Sequence, residues 1–261
     1  MFWVDAFTSL AFAGNPACVC LVESASIADQ RMQSIATEMN VSETAFVART
    51  PAGYSIRWFT PRQEVPLCGH ATLATAHILW EQSLVPDDTP VVFQSKSGEL
   101  RARNVNHRVE LDFPQLFVQP ADESEVVNRG FGFKPIYTAR NDRRYLLEIE
   151  DAGQLRRLTP DFSTLREADR GAFMITCKSD TPEYDFLCRF FAPGVGIDAD
   201  PVTGSAHCYL APYWSRKLRK PMTRSYQASK RGGELECEVT GNDRVLLRGS
   251  AVTIASGNLR V

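Results

Sequence analysis

Two long stretches of the chain contain no Asp, Glu, Lys or Arg, and small residues are concentrated near the start of each. The first stretch runs from Leu67 to Trp80, and the second runs from Val202 to Trp214. A helix that carries apolar or uncharged side chains on every face has to be enclosed by the rest of the fold. We therefore predict one buried helix in each stretch.

The residues at the start of each predicted helix leave its N-terminus open. The first helix begins within Leu67-Cys68-Gly69-His70-Ala71-Thr72-Leu73, and the second within Asp200-Pro201-Val202-Thr203-Gly204-Ser205-Ala206. Unpaired backbone N–H groups and the positive end of the helix dipole favour an anion at such a position. Two starts of this kind indicate one ligand held between two similar halves of the protein.

Most of the remaining chain consists of short segments rich in Val, Ile, Phe and Tyr, several of which alternate with charged residues. Such alternation is typical of strands with one buried face. We predict strands at Met1–Phe7, Ala17–Glu23, Thr44–Arg49, Tyr54–Phe59, Pro90–Gln94, Leu100–Asn104, Val109–Phe113, Arg144–Ile149, Ala172–Thr176, Phe186–Ala192, Leu235–Thr240, Val245–Arg248 and Ala251–Ile254.

One amphipathic helix is predicted after Ser26. Its apolar residues recur at helical spacing, at Ala28, Met32, Ile35, Ala36 and Met39. Ser26 and Asp29 form a plausible capping pair, and Asn40 is a plausible stop.

The two halves of the chain resemble each other. Glu43-Thr44-Ala45-Phe46-Val47 is similar to Arg170-Gly171-Ala172-Phe173-Met174, and Phe59-Thr60-Pro61 is similar to Phe191-Ala192-Pro193. Each Phe-x-Pro segment is followed by one of the two uncharged stretches. Matches in the same order at nearly constant separation indicate an internal repeat.

A buried helix in each half, among many short strands, predicts a curved or barrel-like sheet wrapped around each helix. The predicted fold class is therefore α+β, with a mostly antiparallel sheet in each of two lobes. We place the N-terminal lobe at residues 1–115 and the C-terminal lobe at residues 116–249, because Pro114, Pro120 and several acidic residues interrupt the pattern there. We expect the final segment, residues 250–261, to join the N-terminal lobe.

Composition excludes several classes of protein. The chain has 261 residues, of which 44% are hydrophobic and 23% charged, and its net charge of −2 gives no field that would attract nucleic acid or an acidic membrane. No apolar run approaches the roughly 18 residues that span a bilayer. Asp5 interrupts the apolar N-terminal segment, so we expect no signal peptide. We expect the seven cysteines to be reduced thiols in a cytoplasmic protein.

Glu43 and His70 are candidates for acid–base chemistry. Glu43 opens an apolar strand, where partial desolvation would favour its neutral form and suit it to general acid–base catalysis; the alternative is a solvated glutamate at a strand end. His70 follows Gly69, where backbone can approach a ligand; the alternative is a buried, hydrogen-bonded histidine. We expect His77 and His207 to be packed and hydrogen-bonded, and His107 to be exposed.

Other polar residues near the two helix starts are candidates for binding. We expect Asp200 to be an N-cap, a role compatible with orienting a ligand. Thr203 and Ser205 could hydrogen-bond an acid group together with the backbone. Asn15 is either a turn residue or a substrate-binding amide. Cys68 is the only thiol placed like a catalytic one, because a helix N-terminus favours the thiolate.

Four motifs in this order resemble the signature segments of the phenazine-biosynthesis PhzF-like isomerases. They are Gly14-Asn15-Pro16-Ala17, Ser42-Glu43-Thr44-Ala45-Phe46, Cys68-Gly69-His70-Ala71-Thr72 and Asp200-Pro201-Val202-Thr203-Gly204-Ser205-Ala206. This family is related to diaminopimelate epimerases and proline racemases. The resemblance implies two lobes related by a pseudo-twofold axis, each a barrel-like sheet around a central helix, with the active site in the cleft between them. It also implies homodimers without a metal or organic cofactor.

The resemblance further implies roles for individual residues. Glu43 corresponds to the general acid/base, His70 and Asp200 to further catalytic residues, and Ser205 to the serine of the Gly-Ser-Ala segment. Asn15, Gly69, Ala71, Thr203 and Gly204 lie in the same motifs and are assigned to substrate binding. The implied reaction resembles the isomerisation of trans-2,3-dihydro-3-hydroxyanthranilate by a proton shift, with the substrate carboxylate at the helix N-termini.

Two other functions stay open. Related epimerases use two opposed cysteines; Cys68 aligns with the first, but Pro201 occupies the second position, and Cys208 lies about two helical turns further on. A two-thiol racemase is therefore disfavoured, whereas a thiol-assisted epimerase that uses Cys68 with Glu43 or Asp200 as the opposing base stays open. The other alternative is a protein that binds a small carboxylate without catalysis, because a fold does not fix a function.

Overall fold

The computed structural model describes residues 1–23, 27–142, 144–168 and 171–260 of a mixed α+β protein. The chain divides into two compact units. The first consists of Met1–Phe113 with Leu246–Val261, and the second of Pro114–Val245. No helix of the described residues is long and apolar enough to cross a membrane.

The elements of the first half of the chain alternate short strands with two helices. They are β1 (Phe2–Ala6), β2 (Asn15–Val22), α1 (Asp29–Met39), β3 (Glu43–Thr50), β4 (Gly53–Phe59), β5 (Glu64–Val65), α2 (Gly69–Glu81), β6 (Val91–Ser95), β7 (Gly98–Val105) and β8 (Arg108–Pro114).

The second half contains more short helices. Its elements are β9 (Gln119–Pro120), α3 (Glu125–Phe131), β10 (Tyr137–Arg140), β11 (Arg144–Glu148), α4 (Ala152–Arg157), α5 (Phe162–Ala168), β12 (Ala172–Lys178), β13 (Phe186–Ala192), a 3₁₀ turn (Pro193–Val195), β14 (Ile197–Asp200), α6 (Gly204–Leu218), β15 (Met222–Gln227), β16 (Glu234–Val239), β17 (Arg244–Gly249) and β18 (Ala251–Ser256). Strand β18 pairs with β1, which places the C-terminal segment in the first unit.

Both units contain the same series of strand pairings. In the first, β2 and β3 are parallel, β3 and β4 antiparallel, β4 and β6 parallel with α2 between them in the chain, and β6 and β7 antiparallel. In the second, the same series runs through β11, β12, β13, β15 and β16, with α6 in the place of α2. The residues matched in sequence lie on corresponding strands, Phe46 on β3 and Phe173 on β12; Arg170 lies outside the described residues.

Helices α2 and α6 are buried along most of their length. In α2 every residue from His70 to Trp80 is buried except His77. Helix α6 continues past Pro212, which has no N–H to donate to the carbonyl of Cys208. That carbonyl accepts the backbone N–H of Leu116 at 2.9 Å instead, so the proline leaves no buried acceptor unpaired.

The packing around α6 fixes Trp214, which is 1% exposed. Its ring stacks on Phe186 at 5.5 Å, and its Nε1–H donates to Thr176 Oγ1 at 2.9 Å. The Thr176 hydroxyl donates in turn to the carbonyl of Leu187 at 2.7 Å. Thr176 on β12 therefore provides the hydrogen-bond acceptor that the buried indole N–H requires.

Helix α1 has the predicted end but a different start. Asn40 terminates it in the left-handed conformation, with φ of 49°. Ala28 is the N-cap residue and makes no side-chain capping bond. Ser26, the predicted capping residue, lies outside the described residues.

The hydrophobic pattern missed elements that are short or whose inward side chains are polar. β10 has four residues, too few to establish a period. β15 buries Thr223, Ser225 and Gln227 rather than apolar residues, so the expected alternation is absent. The other elements not predicted are β5, β9, β14, α3, α4 and α5.

Replacement of Thr176 by Val should reduce the free energy of unfolding by about 1–3 kcal/mol, because it leaves the buried Trp214 N–H unpaired. Thr223→Val is the matched control, since Thr223 is 1% exposed and its hydroxyl has no hydrogen-bond partner among the described residues. Urea denaturation should show a loss for Thr176→Val and little change or a gain for Thr223→Val. Equal effects would contradict this account of Trp214.

Candidate active site

A buried amide begins the group of polar residues in the first unit. Asn15 is the first residue of β2 and is fully buried. Its Oδ1 accepts the hydroxyl of Ser42 at 3.1 Å, and its Nδ2 lies 3.3 Å from Nδ1 of His70. The amide thus links the residue before β3 to the first turn of α2, which a residue in an exposed turn would not do.

The contact with Asn15 determines which nitrogen of His70 carries the proton. Because the Asn15 amide donates to Nδ1, Nδ1 is an acceptor and the proton is on Nε2. Burial lowers the pKa of His70 to about 3, so the ring is neutral near pH 7. His70 is therefore a neutral N–H donor at this position.

Glu43 lies beside that N–H group. The first residue of β3, it has a side chain that is 15% exposed, and its Oε2 is 3.2 Å from Nε2 of His70. The distance is short, but Nε2 has no hydrogen bond of acceptable direction in the described structure. Since the ring is neutral, the contact is between a carboxyl group and an imidazole N–H and is not a salt bridge. The N–H therefore remains available to donate a hydrogen bond to a ligand.

Cys68 precedes α2 as its N-cap residue. It makes no side-chain capping bond, and its Sγ lies 3.5 Å from Nδ1 of His70. The N–H groups of Gly69 and His70 belong to the first turn of this 13-residue helix, where intrahelical acceptors are lacking. Ala71 is fully buried, so in this structure neither its side chain nor its backbone is open to a ligand.

The same residues are also the donors best arranged for a metal ion in the part of the chain that the structure describes. One ligand atom from each of Glu43, Cys68 and His70 lies within 4.8 Å of the others. These donor types suit zinc. The positive end of α2 opposes a cation at this point.

The polar residues of the second unit surround the start of α6. Asp200 ends β14, and its carboxylate accepts the hydroxyl of Thr203. The prediction that Asp200 caps the helix is wrong: the N-cap is Thr203, and the helix begins at Gly204. Pro201 and Val202 lie outside both β14 and the helix, and the carboxylate of Asp200 bonds the cap residue instead of the first helical N–H groups.

Gln227, at the end of β15, fixes this turn. Its Nε2 donates to the carbonyl of Asp200 at 2.8 Å and lies 3.2 Å from Thr203 Oγ1. Its Oε1 accepts the N–H of Thr203 at 2.9 Å. Gln227 is fully buried, and its three bonds position Asp200 and Thr203 without need of a ligand.

An arginine completes this group. Arg144 begins β11, and its Nη2 donates to Ser205 Oγ at 3.2 Å. Its guanidinium lies over the rings of Phe190, at 5.3 Å, and Tyr209, at 5.4 Å. The hydroxyl of Ser205, in the first turn of α6, is therefore held from a neighbouring strand.

A family model of phenazine biosynthesis-like proteins (PhzC-PhzF) matches residues 4–257. The chain belongs to this family. The family predicted from the four sequence motifs is thereby confirmed.

Relatives of this PhzF family span the whole chain. An uncharacterised isomerase of Halalkalibacterium halodurans is 49% identical over 99% of this chain and 97% of its own. An uncharacterised isomerase of Pseudomonas aeruginosa is 43% identical over 99% of this chain and 97% of its own. A PhzF family crystal structure from Enterococcus faecalis superimposes with a TM-score of 0.92 at 38% identity, covering 97% and 96% of the two chains.

In this PhzF-family chain the first unit brings together Asn15, Glu43, Cys68 and His70, and the second unit brings together Asp200, Thr203 and Ser205.

His207 is packed and hydrogen-bonded as predicted, with its Nδ1 2.9 Å from the carbonyl oxygen of Thr203, and His107 is exposed. His77 is hydrogen-bonded to Thr253 but only partly buried, because it lies on the face of α2 that β18 covers incompletely.

Sequence reasoning did not select Gln227 or Arg144. Gln227 is a polar residue at an inward position of a strand with no apolar alternation, which gives no local signal. Arg144 does have one, since it shares a strand face with Leu146, which packs against α6 residues in the core. An arginine on the same strand face as a core leucine indicates that its guanidinium points toward the core.

The buried histidines should make the protein less stable at mildly acidic pH. Burial lowers the pKa of His207 from 6.5 to about 4, so below 6.5 the unfolded chain binds a proton that the folded chain does not. Stability therefore falls as the pH falls, by about 1.4 kcal/mol per pH unit for each such histidine. Urea denaturation across roughly pH 5 to 6.5, above the range of ordinary carboxyl groups, should show a shallower slope for His207→Gln. His107→Gln should leave the slope unchanged, and an unchanged slope in His207→Gln would contradict the burial argument.

Proposed function

We propose that the protein is a cofactor-independent isomerase that moves a proton on a small cyclic or unsaturated amino or hydroxy acid, with Glu43 as the acid/base. The contact between the carboxyl group of Glu43 and the neutral Nε2–H of His70, at 3.2 Å, carries this proposal. Membership of the PhzF family and the names of the isomerase relatives support the reaction class.

The proposed reaction needs one carboxyl group that both removes and returns a proton. The carboxylate of Glu43 takes a proton from a substrate carbon, the double bond of the substrate shifts, and the resulting acid returns the proton to another carbon. One C–H bond breaks and one forms, so nothing is oxidised or reduced. A positioned group of this kind contributes roughly 10²–10⁴ in rate.

The neighbours of Glu43 suit this cycle. The neutral His70 N–H can donate to the carboxylate or to a charge that develops on the substrate, and Asn15 holds the ring in the required tautomer. The first-turn N–H groups of Gly69 and His70 can donate to an oxygen of the substrate on which negative charge develops. Asp200, Thr203, Gly204 and Ser205 are proposed as further catalytic and binding residues on the basis of the motif resemblance.

Glu43→Gln should abolish deuterium incorporation from D₂O into trans-2,3-dihydro-3-hydroxyanthranilate and into any acid of a small amino- and hydroxy-acid panel that the wild type labels. We expect a loss of at least about 10²-fold, because glutamine cannot exchange the proton. Glu99→Gln, which changes an exposed carboxylate on β7, should retain the wild-type rate. Unimpaired labelling by Glu43→Gln would remove the proposal. Binding without labelling by the wild type across the panel would favour a non-catalytic carboxylate-binding protein.

A thiol-assisted epimerase is the second candidate function, favoured by the 3.5 Å contact between Cys68 Sγ and Nδ1 of His70. Two features weigh against it. The low pKa of His70 makes its ring a poor acceptor for the thiol proton, and Pro201 stands where the opposed cysteine is expected.

Cys68→Ser should therefore keep activity within a few-fold of the wild type, whereas a thiol mechanism predicts a loss of at least about 10²-fold. Cys20→Ser serves as the control for placing a hydroxyl at a buried cysteine of the same unit. Substrate-protected inactivation by iodoacetamide, together with an inactive Cys68→Ser variant, would establish the thiol mechanism instead.

A further inference from the structure

Arg144 is partly buried, and the hydrogen bonding of its guanidinium is incomplete. Nη2 donates to Ser205 Oγ, whereas Nη1 is buried and has no hydrogen-bond partner among the described residues. No carboxylate of those residues lies within 4.0 Å of it; Asp200 acts on it only at longer range, and its carboxylate accepts the Thr203 hydroxyl. Burial lowers the pKa of Arg144, but an arginine remains protonated in proteins.

A buried cation without an anion is unfavourable, and a native structure retains one for a reason. The rings of Phe190 and Tyr209 offset part of this cost and hold the guanidinium in place. They provide no acceptor for Nη1. The ligand-free structure therefore leaves one charged donor for which an anion is the chemically suitable partner.

Arg189, in the same unit, has no buried guanidinium nitrogen without a partner among the described residues. It lies on β13 with its guanidinium 4.8 Å from the ring centre of Phe191, and its pKa is also lowered by burial. Its Nη1, however, donates to the carbonyl of Leu158 at 2.6 Å. The difference between the two arginines is the missing acceptor at Arg144.

Ser205 contributes the second donor. Its oxygen accepts from Arg144, and in the described structure its own O–H has no acceptor. Nη1 and Nη2 belong to one rigid planar group, so the free N–H groups of Nη1 lie next to this hydroxyl. Two adjacent donors, one of them charged, match the two oxygens of a carboxylate.

We propose that Arg144 is a substrate-binding residue: its Nη1, together with the hydroxyl of Ser205, binds a carboxylate of the substrate. This rests on the proposed function, because it takes the ligand of the second unit to be the acid that is isomerised. It narrows the substrate class to compounds with an ionised carboxylate, and it predicts that the corresponding amides and esters bind more weakly.

The test compares 2-aminobenzoate, a ring-borne carboxylate, with its neutral analogue 2-aminobenzamide by isothermal titration calorimetry at constant ionic strength. The wild type and Arg189→Gln should bind the acid at least about tenfold more tightly than the amide. In Arg144→Gln the Kd for the acid should rise by roughly 10- to 100-fold, to the value for the amide, because a charged hydrogen bond is lost. Retention of the acid preference in Arg144→Gln, or its absence in the wild type, would overturn the proposal.

Stability of the ligand-free protein separates a binding role from a structural one. Arg144→Gln removes a buried charge that has no counter-ion, so its midpoint in urea should equal or exceed that of the wild type. Arg189→Gln removes a bonded guanidinium and should lower the midpoint. A loss in Arg144→Gln as large as that in Arg189→Gln would make Arg144 a structural residue and overturn the proposal.

The two proposals can fail separately. Binding is measured with compounds that do not turn over, whereas the role of Glu43 is measured by deuterium labelling. Acid binding through Arg144 without any labelling would refute only the isomerase reaction. Labelling that depends on Glu43, with normal acid binding by Arg144→Gln, would refute only the role of Arg144.

Discussion

Enclosure of α2 and α6 is the constraint on which the rest of the structure depends. Neither helix has a charged side chain in its first ten or so residues, so each must be covered on all sides by the strands of its own unit. The series of parallel and antiparallel pairings provides that cover in both units. Since the sides of each helix are occupied by packing, its N-terminus is where polar groups can collect without disturbing the core.

Burial also decides the chemistry available at these N-termini. His70 is neutral because burial in the folded chain lowers its pKa, and the amide of Asn15 determines which ring nitrogen carries the proton. A charged imidazolium beside Glu43 would hold the glutamate as a carboxylate partner. A neutral ring leaves the carboxyl group able to alternate between acid and base, which a reversible proton shift requires.

Two groups of polar residues in the second unit differ in how completely they are hydrogen-bonded. Around Thr203, Gln227 bonds the N–H and the hydroxyl of Thr203 and the carbonyl of Asp200, so hydrogen bonds hold the turn without a ligand. At Arg144 the hydrogen bonding is incomplete, and the aromatic rings hold the cation without neutralising it. Incomplete bonding next to a fully bonded turn is expected where a protein gives up some stability to bind a ligand.

The sequence by itself determined the positions of α2 and α6, most strands, and the presence of Asn15, Glu43, His70 and Asp200 in four ordered motifs. These features are local: they follow from the lack of charge in a segment, from alternation within a strand, or from a short run of residues. The sequence misplaced the helix cap at Asp200, because three residues, Pro201, Val202 and Thr203, separate Asp200 from the first helical residue, Gly204. It gave no indication of β15, whose inward side chains are polar.

Only the tertiary structure decided the tautomer of His70, the bonds of Gln227 and the pairing of Arg144 with Ser205. Each of these features depends on a contact between residues that lie far apart in the chain. Whether such a contact forms depends on strand register and on the depth of burial. A shift of one residue in β11 would turn Arg144 to the opposite face, with the composition and the motifs unchanged. Hydrophobic periodicity specifies which face of an element is buried, whereas the partner that meets that face is specified by the packing of the whole unit.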